Sequence, residues 1–209
     1  MRRLILARHG ESEFNAAGLF TGWSDPPLTE RGWSQARGMG EALRTAGVTP
    51  DQVFSSGLQR ALATARVMLE ALNADAPIHP DLALNERDYG ELTGLNKAET
   101  EARFGRTQVR RWRRGYADAP PGGESLRDVA ARAVPFFLRR ILPPLLRGET
   151  VLVVAHGNTL RALVMALEDV SPLDIQQVEI GVGEMIDYDV SADAVFTRPN
   201  RLHVTEREA

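Results

Sequence analysis

Two of the four histidines in this chain stand in the same local pattern, in which an apolar run ends at a His-Gly pair. The run Leu4–Ala7 leads to His9, and the run Val151–Ala155 leads to His156. Neutral imidazole is a competent nucleophile near neutral pH, so one of two neighbouring histidines could accept a phosphoryl group covalently. A single such strand end could be without function, but its repetition makes coincidence a poor explanation.

Arginines accompany these histidines. Arg8 directly precedes His9, and Arg60 lies at the start of a segment whose apolar residues have helical spacing. A cation is electrostatically misplaced at a helix N-terminus unless it and the helix end converge on an anion. A surface arginine is the common alternative, but the strand Gln52–Ser55 points its carboxyl end to the same place. The pattern therefore predicts a pocket for a dianionic phosphoryl group.

The segments that must hold these residues alternate between strands and helices. Short apolar runs predict buried strands, and helical periodicity follows each of them. Right-handed crossovers between such strands predict a three-layer α/β/α fold with a mostly parallel sheet. Ligands bind beyond the carboxyl ends of the strands in such a sheet, which is where both histidines stand. The length of 209 residues predicts one domain over residues 1–209.

Helix boundaries can be predicted at two places. Thr29 suits the N-cap of a helix over roughly residues 30–46, which would end at Gly47 and carry Trp33, Ala36, Gly40 and Leu43 along one face. Ser125 begins a sequence that resembles a capping box, and Pro135 should kink or divide the helix that follows.

The composition excludes several classes of function. A formal net charge of −3 argues against a nucleic-acid binder, and the absence of cysteine excludes disulfides and thiolate metal sites. Histidines and carboxylates do not cluster at ligand spacing, so no metal is expected, and no Walker-type loop is present. No apolar run approaches the roughly 18 residues of a membrane span, and the first strand leaves no room for a signal peptide. We expect a cytoplasmic protein with no membrane partner.

Two other features suggest a binding site for a small polyanion. Lys97 is the only lysine of the chain, which suggests a requirement for a compact ammonium there, although drift would also explain it. The run 110–114 places four arginines around Trp112. Such a run is usually a solvated face or a nucleic-acid patch, but the acidic balance of the chain favours a local anion site.

These residues carry a resemblance to a known family. Residues 8–11, Arg-His-Gly-Glu, look like the signature of the histidine phosphatase superfamily. Three further stretches resemble the cofactor-dependent phosphoglycerate mutases, namely Leu84–Gly90, Gly94–Thr100 and Trp112–Gly115. The similarity extends from about Leu4 to Leu167. It implies a phosphoglycerate mutase-like fold and the interconversion of 2-phosphoglycerate and 3-phosphoglycerate through a phosphohistidine, primed by 2,3-bisphosphoglycerate and without a metal.

The resemblance also implies roles for individual residues. The phosphohistidine would form at His9, Glu86 would donate and accept a proton, and the catalytic set would be His9, Glu86, His156, Arg8 and Arg60. The residues implied to bind substrate are Arg8, His9, Gly10, Ser12, Asn15, Thr21, Gly22, Arg60, Glu86, Arg87, Tyr89, Lys97, Arg113, Arg114, Gly157 and Asn158. Among these, the substrate carboxylate and second phosphate would be held by Arg87, Tyr89, Lys97, Arg113 and Arg114.

The chain departs from the family pattern at two places. Leu19 stands where familiar members often carry a basic residue, and the connection Tyr116–Glu124 is shorter than in the longer members. The short connection leaves homo-oligomerisation open. Two other functions also stay open: a phosphomonoester phosphatase of the same fold, in which water discharges the phosphohistidine, and a catalytically silent relative that binds a partner or a polyanion.

Overall fold

A six-stranded β-sheet forms the centre of the computed structural model, which describes residues 2–203 and the side chains of residues 2–197. In chain order the strands are β1 (Arg2–Arg8), β2 (Gln52–Ser55), β3 (Ile78–Pro80), β4 (Val151–Ala155), β5 (Glu184–Val190) and β6 (Phe196–His203). Their order across the sheet is β3-β2-β4-β1-β5-β6. Strands β1 to β4 pair in parallel, and β5 and β6 join in antiparallel fashion. The predicted mostly parallel sheet is confirmed.

Helices connect these strands. The α-helices are α1 (Glu13–Ala16), α2 (Glu30–Thr45), α3 (Gln59–Leu72), α4 (Lys97–Phe104), α5 (Arg106–Arg114), α6 (Leu126–Phe136), α7 (Leu142–Leu146) and α8 (Gly157–Leu167). Single 3-10 turns occur at Leu82–Leu84, Gly90–Leu92 and Asp174–Gln177. Within residues 2–203, no helix has the length and apolar character that a membrane span requires.

The helices form two layers because the two faces of the sheet are both apolar. Successive residues of β1 point to opposite faces: Leu4 and Leu6 pack in one buried cluster, and Ile5 and Ala7 pack in another. The first cluster contains residues of α6, α7 and α8, whereas the second contains residues of α2 and α3. The predicted three-layer α/β/α arrangement is therefore confirmed.

The register of β1 and β4 places the two histidines side by side. Arg8 pairs with Ala155 in a parallel ladder, and the backbone N–H of His9 donates to the carbonyl of Ala155 at 3.1 Å. His156 follows Ala155 directly, so both histidines emerge at the carboxyl edge of the sheet.

The helix predicted over residues 30–46 is confirmed within one residue at its C-terminus. Thr29 is its N-cap, and the Thr29 side chain accepts a hydrogen bond from the backbone N–H of Gly32. Ala36, Gly40 and Leu43 of the predicted face are buried, but Trp33 is 38% exposed and its place next to the core is taken by Gly32. A residue with a side chain cannot take the place of Gly32, because an added Cβ would collide with the backbone carbonyl of Glu11.

The helix predicted after Ser125 is present as α6. Ser125 and Asp128 form the expected capping box at the start of α6. Pro135 lies in the last turn of α6, and the chain then passes through a π-helical turn at Phe137–Ile141 before α7. Proline lacks the N–H that an α-helix uses, so the predicted division of this helix is confirmed. The tail beyond Arg198, which the sequence does not place, continues β6 to His203, and residues 204–209 lie outside the described part.

The contact between α2 and α3 yields a stability prediction. A Cβ added at Gly40 would overlap the backbone carbonyl of Met68, and backbone cannot move aside as a flexible side chain can. We therefore expect Gly40→Ala to lower the free energy of unfolding by about 1–3 kcal/mol, the usual cost of overpacking, despite the better helix propensity of alanine. Urea denaturation measures this change. Glu41→Ala, at an exposed position of the same helix, is the control, and equal stability of the two variants would contradict the prediction.

Candidate active site

His9 lies at the carboxyl end of β1 and is 2% exposed. Its Nδ1 lies 2.6 Å from the carbonyl oxygen of Gly10. Because a carbonyl only accepts hydrogen bonds, Nδ1 carries the proton and Nε2 keeps its lone pair. His9 is thus held in the tautomer that makes Nε2 a nucleophile.

His156 stands beside it at the end of β4. The two ring centroids are 4.9 Å apart, and His156 Nε2 lies 2.7 Å from the hydroxyl oxygen of Ser56. His156 Nδ1 is buried without a hydrogen-bond partner among the described residues. Ser56, which directly follows β2, is a residue that the sequence analysis did not identify.

Both histidines are held neutral by their surroundings. Burial lowers the pKa of His9 well below its usual value, and the nearby guanidiniums of Arg60 and Arg8 lower it further. Burial also dominates the lowered pKa of His156, with Arg60 next in importance. A neutral imidazole retains the lone pair that attack on phosphorus requires.

Arg8 and Arg60 add two cations to the same pocket. Arg8 Nη1 donates to the carbonyl of Ile180 at 2.7 Å, while Arg60 donates to the carbonyls of Ser24 at 2.8 Å and Gly22 at 3.0 Å. Burial lowers the pKa of Arg60 to about 10, which keeps it charged at neutral pH. In both side chains Nε is buried and has no partner within residues 2–203. Buried guanidinium donors of this kind suit a phosphoryl oxygen.

Glu86 is positioned by the N-terminus of α8. Its Oε1 accepts a hydrogen bond from the backbone N–H of Arg87 at 2.8 Å and another from that of Asn158 at 3.2 Å. The backbone carbonyl of Glu86 accepts from Trp23 Nε1 at 2.6 Å and from Arg132 Nη2 at 3.0 Å. Burial lowers the pKa of Arg8 and of Arg60, and the charge of the Glu86 carboxylate opposes that effect in both.

A second group of cations extends from Glu86 toward the surface. Arg87 is fully buried, and its Nη2 donates to the hydroxyl of Tyr89 at 3.1 Å and to the carbonyl of Arg113 at 2.8 Å. Arg87 Nε and Nη1 have no hydrogen-bond partner in the described part of the chain. The Tyr89 hydroxyl also accepts from Asn158 Nδ2 at 3.3 Å. These contacts join the residues implied to bind the far end of the substrate.

Three further cations lie where this group meets solvent. Lys97 is the first residue of α4, and burial, followed by the charge of Arg113, lowers its pKa. Arg113 pairs with Glu101 at 3.4 Å, and Arg114 pairs with Glu179 at 2.8 Å. Beside them is a cleft of about 310 Å³, lined by Glu101, Arg106, Arg110, Arg113, Arg114, Gln176, Gln177 and Glu179.

The remaining predicted residues include two glycines with contacts next to the first pocket and two side chains whose contacts are local. The Gly10 backbone N–H donates to Thr64 Oγ1 at 3.1 Å, and a Cβ added at Gly157 would lie 3.4 Å from the Arg8 guanidinium carbon. Thr21 is buried. Ser12 and Asn15, however, hydrogen-bond to each other in the capping box of α1. The contacts of those two side chains in the described structure are therefore local.

Several side chains that organise the site were missed by the sequence analysis, namely Trp23, Ser56, Arg132 and Arg161. Most had no local signal, since each acts on residues far away in the chain. Arg161 is the exception, because it is the only charged residue in the apolar segment Leu160–Leu167. A single arginine in such a segment indicates a buried charge with a specific partner.

The arrangement can bind an anion with at least two negatively charged groups. One end has two neutral histidines, two arginines and a carboxylate, which together could transfer a phosphoryl group and a proton. The other end has further cations for a second anionic group. Among residues 2–203, no three or more histidines or carboxylates are grouped so as to hold a metal ion.

Comparison with known proteins gives similarity over nearly the whole chain. Residues 4–195 match the histidine phosphatase superfamily, branch 1. The 2,3-bisphosphoglycerate-dependent phosphoglycerate mutase of Azorhizobium caulinodans is 52% identical over 197 residues, covering 94% of this chain and 96% of that protein. The protein of the same name from Methylobacterium sp. (strain 4-46) is 52% identical over 193 residues, covering 92% and 93%.

Solved structures of lower identity share the fold. A mycobacterial glucosyl-3-phosphoglycerate phosphatase complexed with VO3 has a TM-score of 0.84 and 29% identity, covering 95% of this chain and 98% of that one. YhfR from Bacillus stearothermophilus has a TM-score of 0.81 and 29% identity, covering 94% of each chain.

The neutral histidines make stability depend on pH. His9 and His156 have lowered pKa values in the folded protein, so below about pH 6.5 the unfolded chain binds protons that the folded chain does not. Stability should therefore fall as the pH is lowered through 6.5 toward 5.5, by up to about 1.4 kcal/mol per pH unit for each histidine. Urea denaturation at a series of pH values measures the slope. We expect His156→Gln to reduce it, and an unchanged slope would contradict the prediction.

Proposed function

This chain belongs to the histidine phosphatase superfamily, and we propose that it interconverts 2-phosphoglycerate and 3-phosphoglycerate as a 2,3-bisphosphoglycerate-dependent mutase. Two relatives that are 52% identical over 94% and 92% of this chain carry that name. The enzyme is accordingly an isomerase of glycolysis and gluconeogenesis. We place it in the cytoplasm, where these reactions occur, and its homo-oligomerisation stays a prediction.

The observation that carries the proposal is the division of the cations into two groups. Arg8 and Arg60 lie with the histidines, where any phosphomonoester would bind. Arg87 and Lys97 are grouped instead with Arg113, whose carbonyl accepts from Arg87 and whose charge lowers the pKa of Lys97. A general phosphatase needs only the first group, whereas a phosphoglycerate has a carboxylate that the second group can hold.

In the forward step, the phosphorylated Nε2 of His9 gives its phosphoryl group to the free hydroxyl of the bound phosphoglycerate. The P–N bond breaks and a P–O bond forms, and the hydroxyl proton passes to the Glu86 carboxylate. Arg8, Arg60 and neutral His156 donate hydrogen bonds to the equatorial oxygens as negative charge accumulates there. His9 is then neutral again, and its Nδ1–H still donates to the Gly10 carbonyl.

In the return step, His9 Nε2 attacks the other phosphoryl group of the bound molecule. The leaving oxygen takes back the proton from Glu86, so the enzyme neither gains nor loses a proton over one cycle. The second group of cations must hold the bisphosphorylated molecule while it reorients. Its escape would otherwise leave His9 without the phosphoryl group that the next cycle requires.

The residues present fit 2,3-bisphosphoglycerate as the primer. Its two phosphates and one carboxylate match the two cation groups, in which Nε of Arg8, Arg60 and Arg87 and Nη1 of Arg87 are buried without a partner among the described residues. When bound, it supplies the phosphoryl group that first charges His9. The proposal gives no role to a metal ion.

A phosphatase on the same site is the second candidate, because a structure with a TM-score of 0.84 belongs to a glucosyl-3-phosphoglycerate phosphatase. In that reaction water would take the phosphoryl group from His9. The identity of 29% makes this candidate less well supported than the mutase.

A coupled assay of 3-phosphoglycerate conversion tests the proposal. We expect turnover that depends on catalytic amounts of 2,3-bisphosphoglycerate and survives exhaustive chelation, with an acid-labile phosphoryl adduct after incubation with labelled primer. His9→Ala should lose both the turnover and the adduct. Release of phosphate without isomerisation would favour the phosphatase, and loss of activity on chelation would show that a metal takes part.

Selectivity between the two reactions should depend on Lys97. Removal of its ammonium weakens the hold on the far end of the substrate, and a charge-assisted hydrogen bond is worth about 1.5–3 kcal/mol, or roughly 10–100-fold. We therefore expect Lys97→Ala to lower mutase kcat/KM by about that factor and to lower hydrolysis of a simple phosphomonoester much less. Arg103→Ala, which removes an exposed cation from the same helix, should leave both activities unchanged. Equal loss of the two activities in Lys97→Ala would overturn this assignment.

A further inference from the structure

Arg161 is a buried cation without a role in the proposed reaction. It lies in the first half of α8 and is 3% exposed, and its pKa is lowered to about 10 mainly by burial. We propose that Arg161 is a positioning residue, which fixes the cations at the far end of the substrate without contacting the substrate itself. The proposal rests on the proposed function for the identity of that substrate.

All five N–H donors of the guanidinium are used within the protein. Nε donates to the carbonyl of Val178 at 3.1 Å, and Nη2 donates to the carbonyls of Ile175 at 2.7 Å and Arg114 at 2.8 Å. Nη1 donates to Asn158 Oδ1 at 3.0 Å and to the carbonyl of Arg113 at 3.5 Å, the longest of the five. A guanidinium has five such donors, so none is left for a ligand.

Two of these acceptors are the last carbonyls of α5. Helix α5 ends at Arg114, and the last carbonyls of a helix have no N–H group within the helix to donate to them. They also form the negative end of the helix dipole, which favours a cation. Arg161 therefore caps α5 from a distant helix, and it holds the backbone of the two residues whose side chains are proposed to bind the substrate.

The same side chain fixes two other parts of the site. Through Asn158 it orients the amide whose Nδ2 donates to the Tyr89 hydroxyl. Through Ile175 and Val178 it holds the segment that leads to Glu179, whose carboxylate pairs with Arg114 at 2.8 Å. One buried side chain thus joins α5, α8 and the segment 175–180. A lysine has three donors on one atom and cannot span these acceptors.

Arg132 provides a matched comparison, because it also uses five donors but acts on another part of the site. Its guanidinium donates to the carbonyls of Ala83, Asn85 and Glu86 and to both carboxylate oxygens of Glu124, all within 2.9–3.0 Å. Arg132 therefore supports the backbone of the proposed proton carrier. A variant at Arg132 should impair proton transfer, whereas a variant at Arg161 should impair binding of the far end of the substrate.

The decisive experiment compares Arg161→Lys and Arg132→Lys with the unmodified protein. Titration calorimetry measures the affinities for 3-phosphoglycerate and for inorganic phosphate, and steady-state kinetics gives KM and kcat. For Arg161→Lys we expect 3-phosphoglycerate to bind about tenfold or more weakly, with KM raised in proportion and phosphate affinity changed less than about twofold. For Arg132→Lys we expect kcat to fall with a smaller change in KM.

Each alternative outcome has a defined meaning. If Arg161→Lys weakens both ligands equally, or lowers kcat in the same way as Arg132→Lys, Arg161 is merely structural and the proposal is overturned. If the unmodified protein binds 3-phosphoglycerate but does not isomerise it, the proposed function fails while the affinity comparison still tests Arg161.

A second measurement uses only the unmodified protein, so it does not require any variant to fold. This measurement is amide hydrogen exchange. Protection of the last turn of α5 is expected, and rapid exchange there would overturn the proposal.

Discussion

The parallel pairing of β1 with β4 is the constraint on which the rest of the site depends. In this register Leu4 lies opposite Val151 and Arg8 lies opposite Ala155, so the residues that follow each strand emerge together. A shift of one residue would turn every side chain of the strand to the opposite layer, and residues 4–7 of β1 are fully buried on both faces. Hydrophobic packing on two sides therefore fixes the spacing of the two histidines.

The cost of this location is the burial of several cations in one region. A guanidinium offsets the free-energy cost of burial better than an ammonium would, since it can donate to several carbonyl oxygens at fixed angles. Arg60 uses the loop carbonyls of Gly22 and Ser24, while Arg161 and Arg132 use the carbonyls of helix and loop ends. The preference for arginine over lysine in this chain has a physical reason at each of these positions.

Local signals in the sequence predicted the parts of the site that are contiguous in the chain. The apolar runs before His9 and His156, the N-cap at Thr29 and the capping box at Ser125 each involve neighbouring residues, and the structure contains all of them. The exposure of Trp33 was not predicted, because the close contact of Gly32 with Glu11 cannot be read from helical spacing.

The supporting side chains could not be predicted in the same way. The contacts of Ser56 with His156 and of Arg132 with the Glu86 carbonyl span 100 and 46 residues, and they depend on how distant segments pack. Roles of individual residues that came from family resemblance are equally non-local. Position in the fold is consistent with many of them, but Ser12 and Asn15 show that a residue near a site can direct its side chain elsewhere.

The two kinds of arginine in this molecule differ in how strongly dissolved salt can affect them. Arg113 and Arg114 keep 33% and 27% of their side chains exposed, and their partners Glu101 and Glu179 keep 30% and 68%. Mobile ions can therefore screen the charges proposed to attract the substrate. Arg161 and its carbonyl partners are buried, and screening hardly reaches them. Ionic strength should therefore slow the capture of substrate while the geometry that receives it stays the same.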